Sequence, residues 1–146
     1  MERWYFDTSV LVAAAVIHHV HNSRAIAVLE ELVRGKNRGY MSAHGLTEVY
    51  SVLTRTPFQT PVYPSEAFQA IEDQLLRHLS LVPLDENEYI DVTRRAAAAG
   101  WIGGRIHDVI HLQCAAKMKC DRVYTFNVRD FRALAPKALT DKISAP

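Results

Sequence analysis

The sequence predicts an α/β domain, with a mostly parallel sheet and helices on both of its faces. Two observations carry this prediction. Short apolar or aromatic runs alternate with helical stretches along the whole chain, which is the order of repeated βα units. No internal repeat or low-complexity tract interrupts the alternation. Size sets the scale: 146 residues, 49% hydrophobic and 23% charged, is one globular domain's worth of chain.

The elements follow in order. Arg3-Trp4-Tyr5-Phe6 reads as a short strand, because aromatic residues suit a pleated, buried surface. Asp7, Thr8 and Ser9 come next, and each is a good helix cap. Val10 to Ile17 is apolar all round, a buried helix. From Ser23, Ile26, Leu29, Leu32 and Val33 recur at helical spacing, with Glu30 and Glu31 off that face. Residues 34–39 are a basic turn, and Tyr40-Met41-Ser42 a second strand. Leu46, Val49, Tyr50 and Leu53 mark the next helix. Three prolines in residues 56–64 forbid helix and make a loop. Ser65 restarts a helix carrying Phe68, Ile71, Leu75, Leu76 and Leu79, and residues 81–84 form a third strand. Asp85 and Glu88 have capping-box spacing for a helix that Gly100 ends. Gly103-Gly104 is a turn, Ile106 to Met118 an apolar helix starting around Asp108, and Arg122 to Thr125 a strand. Asn127 to Asp130 is a turn, and the tail from Ala133 carries only a weak strand signal.

Composition excludes several classes. The longest apolar run, Val10 to Ile17, is eight residues, far short of the ~20 that span a bilayer. Glu2, Arg3 and Asp7 spoil a signal peptide. A soluble, cytoplasmic, single-domain protein over residues 1–146 is the expectation. Cys114 and Cys120 have neither metal-motif nor disulfide-framework spacing and read as reduced core residues. Net charge is +1, but it is uneven. Residues 1–93 hold seven Lys/Arg against twelve Asp/Glu, and residues 94–146 hold ten against four. That asymmetry allows a local basic surface for an acidic partner.

Ligands of open parallel sheets bind beyond the carboxyl ends of the strands, so polar residues there matter most. Asp7 directly follows the first strand, and Asn127 and Asp130 follow the strand 122–125. Asp108 opens the helix leading into that strand, and Glu48 lies in the helix after the second. If the first and fourth strands are neighbours, these carboxylates share one cleft. Clustered carboxylates repel unless a cation neutralises them. Hard oxygen ligands suit Mg²⁺ or Mn²⁺, and such a site activates water for phosphodiester hydrolysis. Taken singly, each residue has a plainer reading. Asp7 caps a helix, Asp108 complements a helix dipole, Glu48 is solvated, Asp130 caps a turn and Asn127 supplies a left-handed backbone.

Four segments together resemble the PIN-domain ribonucleases, and among them the VapC toxins of bacterial toxin–antitoxin pairs. They are Tyr5-Phe6-Asp7-Thr8-Ser9-Val10-Leu11-Val12, Leu46-Thr47-Glu48-Val49, His107-Asp108-Val109-Ile110-His111-Leu112, and Tyr124-Thr125-Phe126-Asn127-Val128-Arg129-Asp130-Phe131. The last is the most distinctive. Their acidic residues stand 41, 60 and 22 positions apart, and the resemblance covers almost the whole chain. It implies a PIN-like three-layer sandwich around a four- or five-stranded parallel sheet, with Mg²⁺-dependent endoribonuclease activity. Asp7, Glu48 and Asp108 map onto the family's metal-binding acidic residues. Asp130 is expected to complete the quartet, with Asn127 as a neutral hydrogen-bonding partner, and Thr8 and Thr125 order the cleft. The resemblance also implies a homodimer, an RNA substrate (tRNA, rRNA or mRNA) and a VapB-like antitoxin that covers the cleft.

Arg105, Arg129 and Arg132, with Lys36 and Arg38 as weaker candidates, would hold the RNA backbone. Two rival readings compete. His107 and His111, at i and i+4, resemble the histidine pair of a zinc hydrolase, with His44, His78 or the cluster His18, His19 and His21 as third-ligand sources. Asp108 replaces the glutamate base of that motif and is one methylene shorter. The plainer alternative packs both histidines around Asp108. The second rival is an RNA-binding module without catalysis, which the survival of all four acidic residues disfavours; a non-toxin PIN nuclease is the remaining alternative.

Overall fold

The structure is a computed structural model describing residues 1–146. Strand β1 (Arg3–Phe6) leads into helix α1 (Thr8–Ala15), followed by α2 (Asn22–Arg34). Strand β2 (Arg38–Ser42) precedes α3 (Ala43–Arg55) and α4 (Pro64–Ile71), the last continuing as a π-helical stretch over Glu72–Leu76. Strand β3 (Leu79–Val82), α5 (Glu86–Ala99), α6 (Arg105–Lys117) and β4 (Arg122–Tyr124) follow. The chain closes with α7 (Val128–Leu134), α8 (Lys137–Thr140) and β5 (Ile143–Ser144). All four strand pairings are parallel, in the order β3-β2-β1-β4-β5. The order reverses at β1, so the crevice between the carboxyl ends of β1 and β4 is the switch point.

Strand pleating divides the side chains between two cores. Trp4, Phe6, Met41 and Tyr124 point into the core formed with α1 to α4. Tyr5, Tyr40 and Val123 point into the core formed with α5 to α7. Successive residues on opposite faces, both covered, are the mark of a doubly flanked parallel sheet. The aromatic residues of β1 and β4 interlock: Phe6 stacks on Tyr124, and Trp4 meets it edge-on, both at 5.4 Å. Cys114 and Cys120 are free and buried.

Several boundaries move from the sequence reading. Leu79 begins β3 rather than ending a helix, and pairs with Gly39. A Cβ on Gly39 would lie 2.4 Å from Leu79 Cδ2, so the bare glycine backbone is what admits that leucine. The strand stops at Val82, before Pro83, which has no N–H to donate. Helix α1 ends at Ala15, leaving Ile17 in solvent. Helix α6 begins three residues early, at Arg105, which leaves Asp108 in its first turn. Strand β4 ends at Tyr124, one residue before Thr125. The expected turn at Asn127 to Asp130 is instead the start of α7, which Phe131, fully buried, anchors against the sheet. The tail adds α8 and only two residues of strand.

The capping box at Asp85 is present, with Asp85 accepting from the Glu88 N–H and Glu88 accepting from the Asp85 N–H. Gly100 closes the same helix with φ +71°, and the place a Cβ would take there has no neighbour within 4 Å. Substituting Gly100→Ala therefore meets backbone strain and no clash. It should lower unfolding stability by about 1 kcal/mol, read from denaturant midpoints at unchanged m-value.

Candidate functional site

The site is built outward from Asp7. Its backbone N–H donates to the Tyr124 carbonyl at 3.1 Å, extending the β1–β4 ladder by one step. Its carboxylate is 3% exposed and collects three donors. Ser9 Oγ donates to Oδ1 at 2.7 Å, the Val10 N–H to Oδ1 at 3.1 Å, and Thr125 Oγ1 to Oδ2 at 2.7 Å. Asp7 is thus the cap of α1 and also the tie between the two central strands. Burial pushes its pKa up, opposed by the nearby His111 and by these donors.

Asp7, Thr8, Glu48, Asp108 and Asn127 line one open pocket of about 380 Å³, together with Ser9, His19, His21, His111 and Phe126. Three carboxylates from distant stretches of chain therefore converge. Asp108, half-buried on the first turn of α6, has its pKa pushed up to about 6. Burial is the main cause; the negative charges of Asp7, Asp130 and Glu48 add to it, and His111 acts against it. Glu48 shifts the other way. Burial raises its pKa, but the hydrogen bond and charge of His111, with His44 and His107, bring it below the ordinary value.

Other predicted residues lie outside the pocket. Thr125 is fully buried behind Asp7, and its Oγ1 also accepts the Asn127 N–H at 3.0 Å. Asp130 is exposed on the first turn of α7; it does not line the pocket, although its charge reaches Asp108. Asn127 has φ −95°, so it caps α7 rather than supplying a left-handed backbone. Glu48 is held by partners rather than solvated: its Oε1 receives His111 Nε2 at 3.0 Å and Thr8 Oγ1 at 3.3 Å. Arg105 and Arg129 are exposed beside the acidic residues of their helices. Arg132 donates to the Ile143 carbonyl at 2.8 Å and helps fix β5. Lys36 and Arg38 precede or open β2, at the amino-terminal end of the sheet and away from the pocket.

His111 is the functional residue that sequence reasoning misplaced. It does not pair with His107 around a metal or around Asp108. Its ring is buried, with Nδ1 2.7 Å from the Tyr5 hydroxyl and Nε2 facing Thr8 and Glu48. Full burial holds the Tyr5 pKa well above its usual value, so its hydroxyl stays neutral beside Nδ1. The Glu48 carboxylate can only accept, so Nε2 donates to it. His107 is turned away, to His44. A Cβ at Gly45 would come within 3.1 Å of His111 Cε1, so the glycine makes room for this ring. The helical spacing of His107 and His111 is real, but which face of α6 meets β1 cannot be read from spacing. His19 and His21 were visible only as a histidine cluster; the structure sets them on the pocket rim, with His21 stacked on Phe126 at 4.3 Å.

The PIN domain family matches residues 4–136. Ribonuclease VapC40, from two strains of Mycobacterium tuberculosis, is 33% identical over 130 residues, which is 88% of this chain and 87% of that protein. This chain belongs to the VapC-type PIN-domain ribonucleases. Solved structures agree on the PIN fold. The Mycobacterium tuberculosis toxin VapC20, described as cleaving the sarcin–ricin loop, superposes with a TM-score of 0.68 at 15% identity, over 92% of this chain and 97% of its own. VapBC2 from Rickettsia felis, crystallised with a fragment of promoter DNA, gives 0.70 at 16% identity, over 99% and 98%. No helix of this PIN domain is long and apolar enough to cross a membrane.

The carboxylates fit a divalent cation on their own chemistry. Several hard oxygen donors face one solvent-open pocket, and their charges add to the rise that burial gives the pKa of Asp108. That raised pKa has a measurable sign. Because the folded pKa of Asp108 exceeds the ordinary 3.8, the folded state holds this proton more tightly than the unfolded chain. The metal-free protein accordingly loses stability as pH rises from below 4 through about 6. Asp108→Asn removes this loss. Melted in EDTA, the variant should gain on the parent between about pH 4 and about pH 6 and hold a constant advantage above that range; a pH-independent deficit would instead make Asp108 a structural group.

Proposed function

We propose that this chain is a Mg²⁺-dependent endoribonuclease (with Mn²⁺ as an effective substitute) and the toxin of a VapBC-like pair. The observation that carries the reading is the convergence of Asp7, Glu48 and Asp108 in one pocket at the switch point of the sheet. Residues 1–146 act as one PIN domain, cytoplasmic and homodimeric, restrained by a VapB-like antitoxin laid over the pocket.

Asp7 and Asp108 would hold the cation, with Glu48 beside them and Asp130 contributing through water. The cation supplies two things when bound: a more acidic water and offset of the charge growing on the phosphate. The chain's own groups do the rest. Thr125 and Ser9 fix the Asp7 carboxylate by hydrogen bonds at 2.7 Å each, so the ligand oxygens are set before any RNA arrives. Thr8 and His111 orient Glu48, whose depressed pKa keeps it ionised and able to accept a proton from the attacking water. Asn127, on the rim, offers a neutral amide to the phosphate or the cation's water shell. Arg105 and Arg129, exposed on the helices that carry Asp108 and Asp130, would hold the RNA backbone. The RNA is tRNA, rRNA or mRNA, recognised where single-stranded bases are accessible.

The test is cleavage of a total RNA pool by purified, antitoxin-free chain with Mg²⁺ and with EDTA. Discrete products should appear only with Mg²⁺. Asp7→Ala should abolish them and relieve the growth arrest that the parent causes when overexpressed. Because Asp7 also caps α1 and bonds Thr125, Asp7→Asn serves as the near-isosteric control: folded by circular dichroism, yet reduced by at least about 100-fold in rate. Retention of full toxicity by folded Asp7→Asn would remove the metal-nuclease account.

A further inference from the structure

Beside the carboxylate pocket lies a second donor set of different chemistry. His44 stands one turn before Glu48 on α3, and His107 lies in the first turn of α6. The two imidazoles stack with centroids 5.0 Å apart and planes 11° off parallel, and His44 Nε2 is 2.9 Å from His107 Nδ1. His44 Nε2 is also 3.7 Å from Glu48 Oε1. One donor atom from each of His44, Glu48 and His107 falls within 4.8 Å of the others. They open on a cleft of about 360 Å³ that Thr47, Ser51 and Arg55 also line.

Two imidazoles and a carboxylate with an open fourth position are a zinc-type donor set, unlike the all-oxygen set next to it. Tetrahedral zinc with bonds of roughly 2.0–2.1 Å holds two nitrogens ~3.3 Å apart, so the His44–His107 pair needs to open by only a few tenths of an ångström and turn its lone pairs toward a common point. His107 is exposed and His44 is partly exposed, which leaves room for the rings to make that adjustment. We propose that His44, Glu48 and His107 form a Zn²⁺-type transition-metal site, and that its occupation suppresses RNA cleavage by drawing Glu48 out of the carboxylate pocket. The site stands on its own geometry, and its regulatory effect rests on the proposed nuclease function. The coupling is direct because Glu48 lines both pockets. Its Oε1, which faces His44, is the same oxygen that receives His111 and Thr8.

The experiment titrates Zn²⁺ into the full, metal-stripped chain by calorimetry, with excess Mg²⁺ present to occupy the oxygen ligands, and follows RNA cleavage in parallel. The parent should bind one Zn²⁺ per chain. His107→Ala and His44→Ala should each weaken binding at least about tenfold. Zinc should inhibit the parent, and the inhibitory concentration should rise by the same factor in His107→Ala, with inhibition read against that variant's own zinc-free, Mg²⁺-supported rate. Absence of zinc binding, or binding that both variants retain, overturns the site. Equal inhibition of parent and His107→Ala overturns the link through Glu48 and places the effect on the oxygen ligands. A chain that binds zinc through these histidines but cleaves no RNA with Mg²⁺ supports the site and overturns its regulatory role together with the nuclease reading.

Discussion

The carboxylate of Asp7 is the point on which the rest of this structure depends. It is buried, and a buried carboxylate is costly unless donors surround it. Here three donors come from two sides: Ser9 and the Val10 N–H from the start of α1, and Thr125 from just after β4. One group therefore caps a helix, joins the two central strands and faces the pocket. The parallel sheet makes this possible, because Phe6 pairs with Tyr124 and the chain leaves both strands at the same level. The aromatic stack beneath, Phe6 on Tyr124, holds that level fixed.

Around this anchor the electrostatics are unequal. Asp108 is pushed toward neutrality by burial and by its acidic neighbours, whereas Glu48 is kept charged by histidines. One buried ring acts on both groups but hydrogen-bonds only Glu48. His111 reaches from α6 to Tyr5 on β1 and to Glu48 on α3, and so connects both layers of the sandwich through the sheet. Carboxylates of unequal basicity in one pocket can divide their tasks between holding a cation and handling a proton.

Much of this was legible in the sequence. Asp7 was placed by an aromatic strand followed by three capping residues, Asp85 and Glu88 by their spacing, and Gly100 by its position after an alanine run. Local chemistry decides each of these within a few residues. The acidic cleft was also legible, through the position of Asp7 and Asp108 at strand ends and helix starts and through the resemblance of four segments to one family. Leu79 was assigned to the wrong element, because a leucine at helical spacing looks the same whether it ends a helix or sits over Gly39 on a neighbouring strand.

What the sequence determined by itself is the alternation of elements, the parallel sheet it requires and the carboxyl-end placement of Asp7. What only the tertiary structure decided is which side chains share a partner. Glu48 reads as a solvated helix residue until α6 brings His111 to it. His107 and His111 read as one pair until the packing of α6 turns His111 inward to Tyr5 and leaves His107 facing His44. Helical periodicity gives the angle between two side chains on one helix, but not the direction in which that helix is rotated against the sheet. That rotation is fixed by the sum of contacts across the whole core, and no local stretch of sequence contains it.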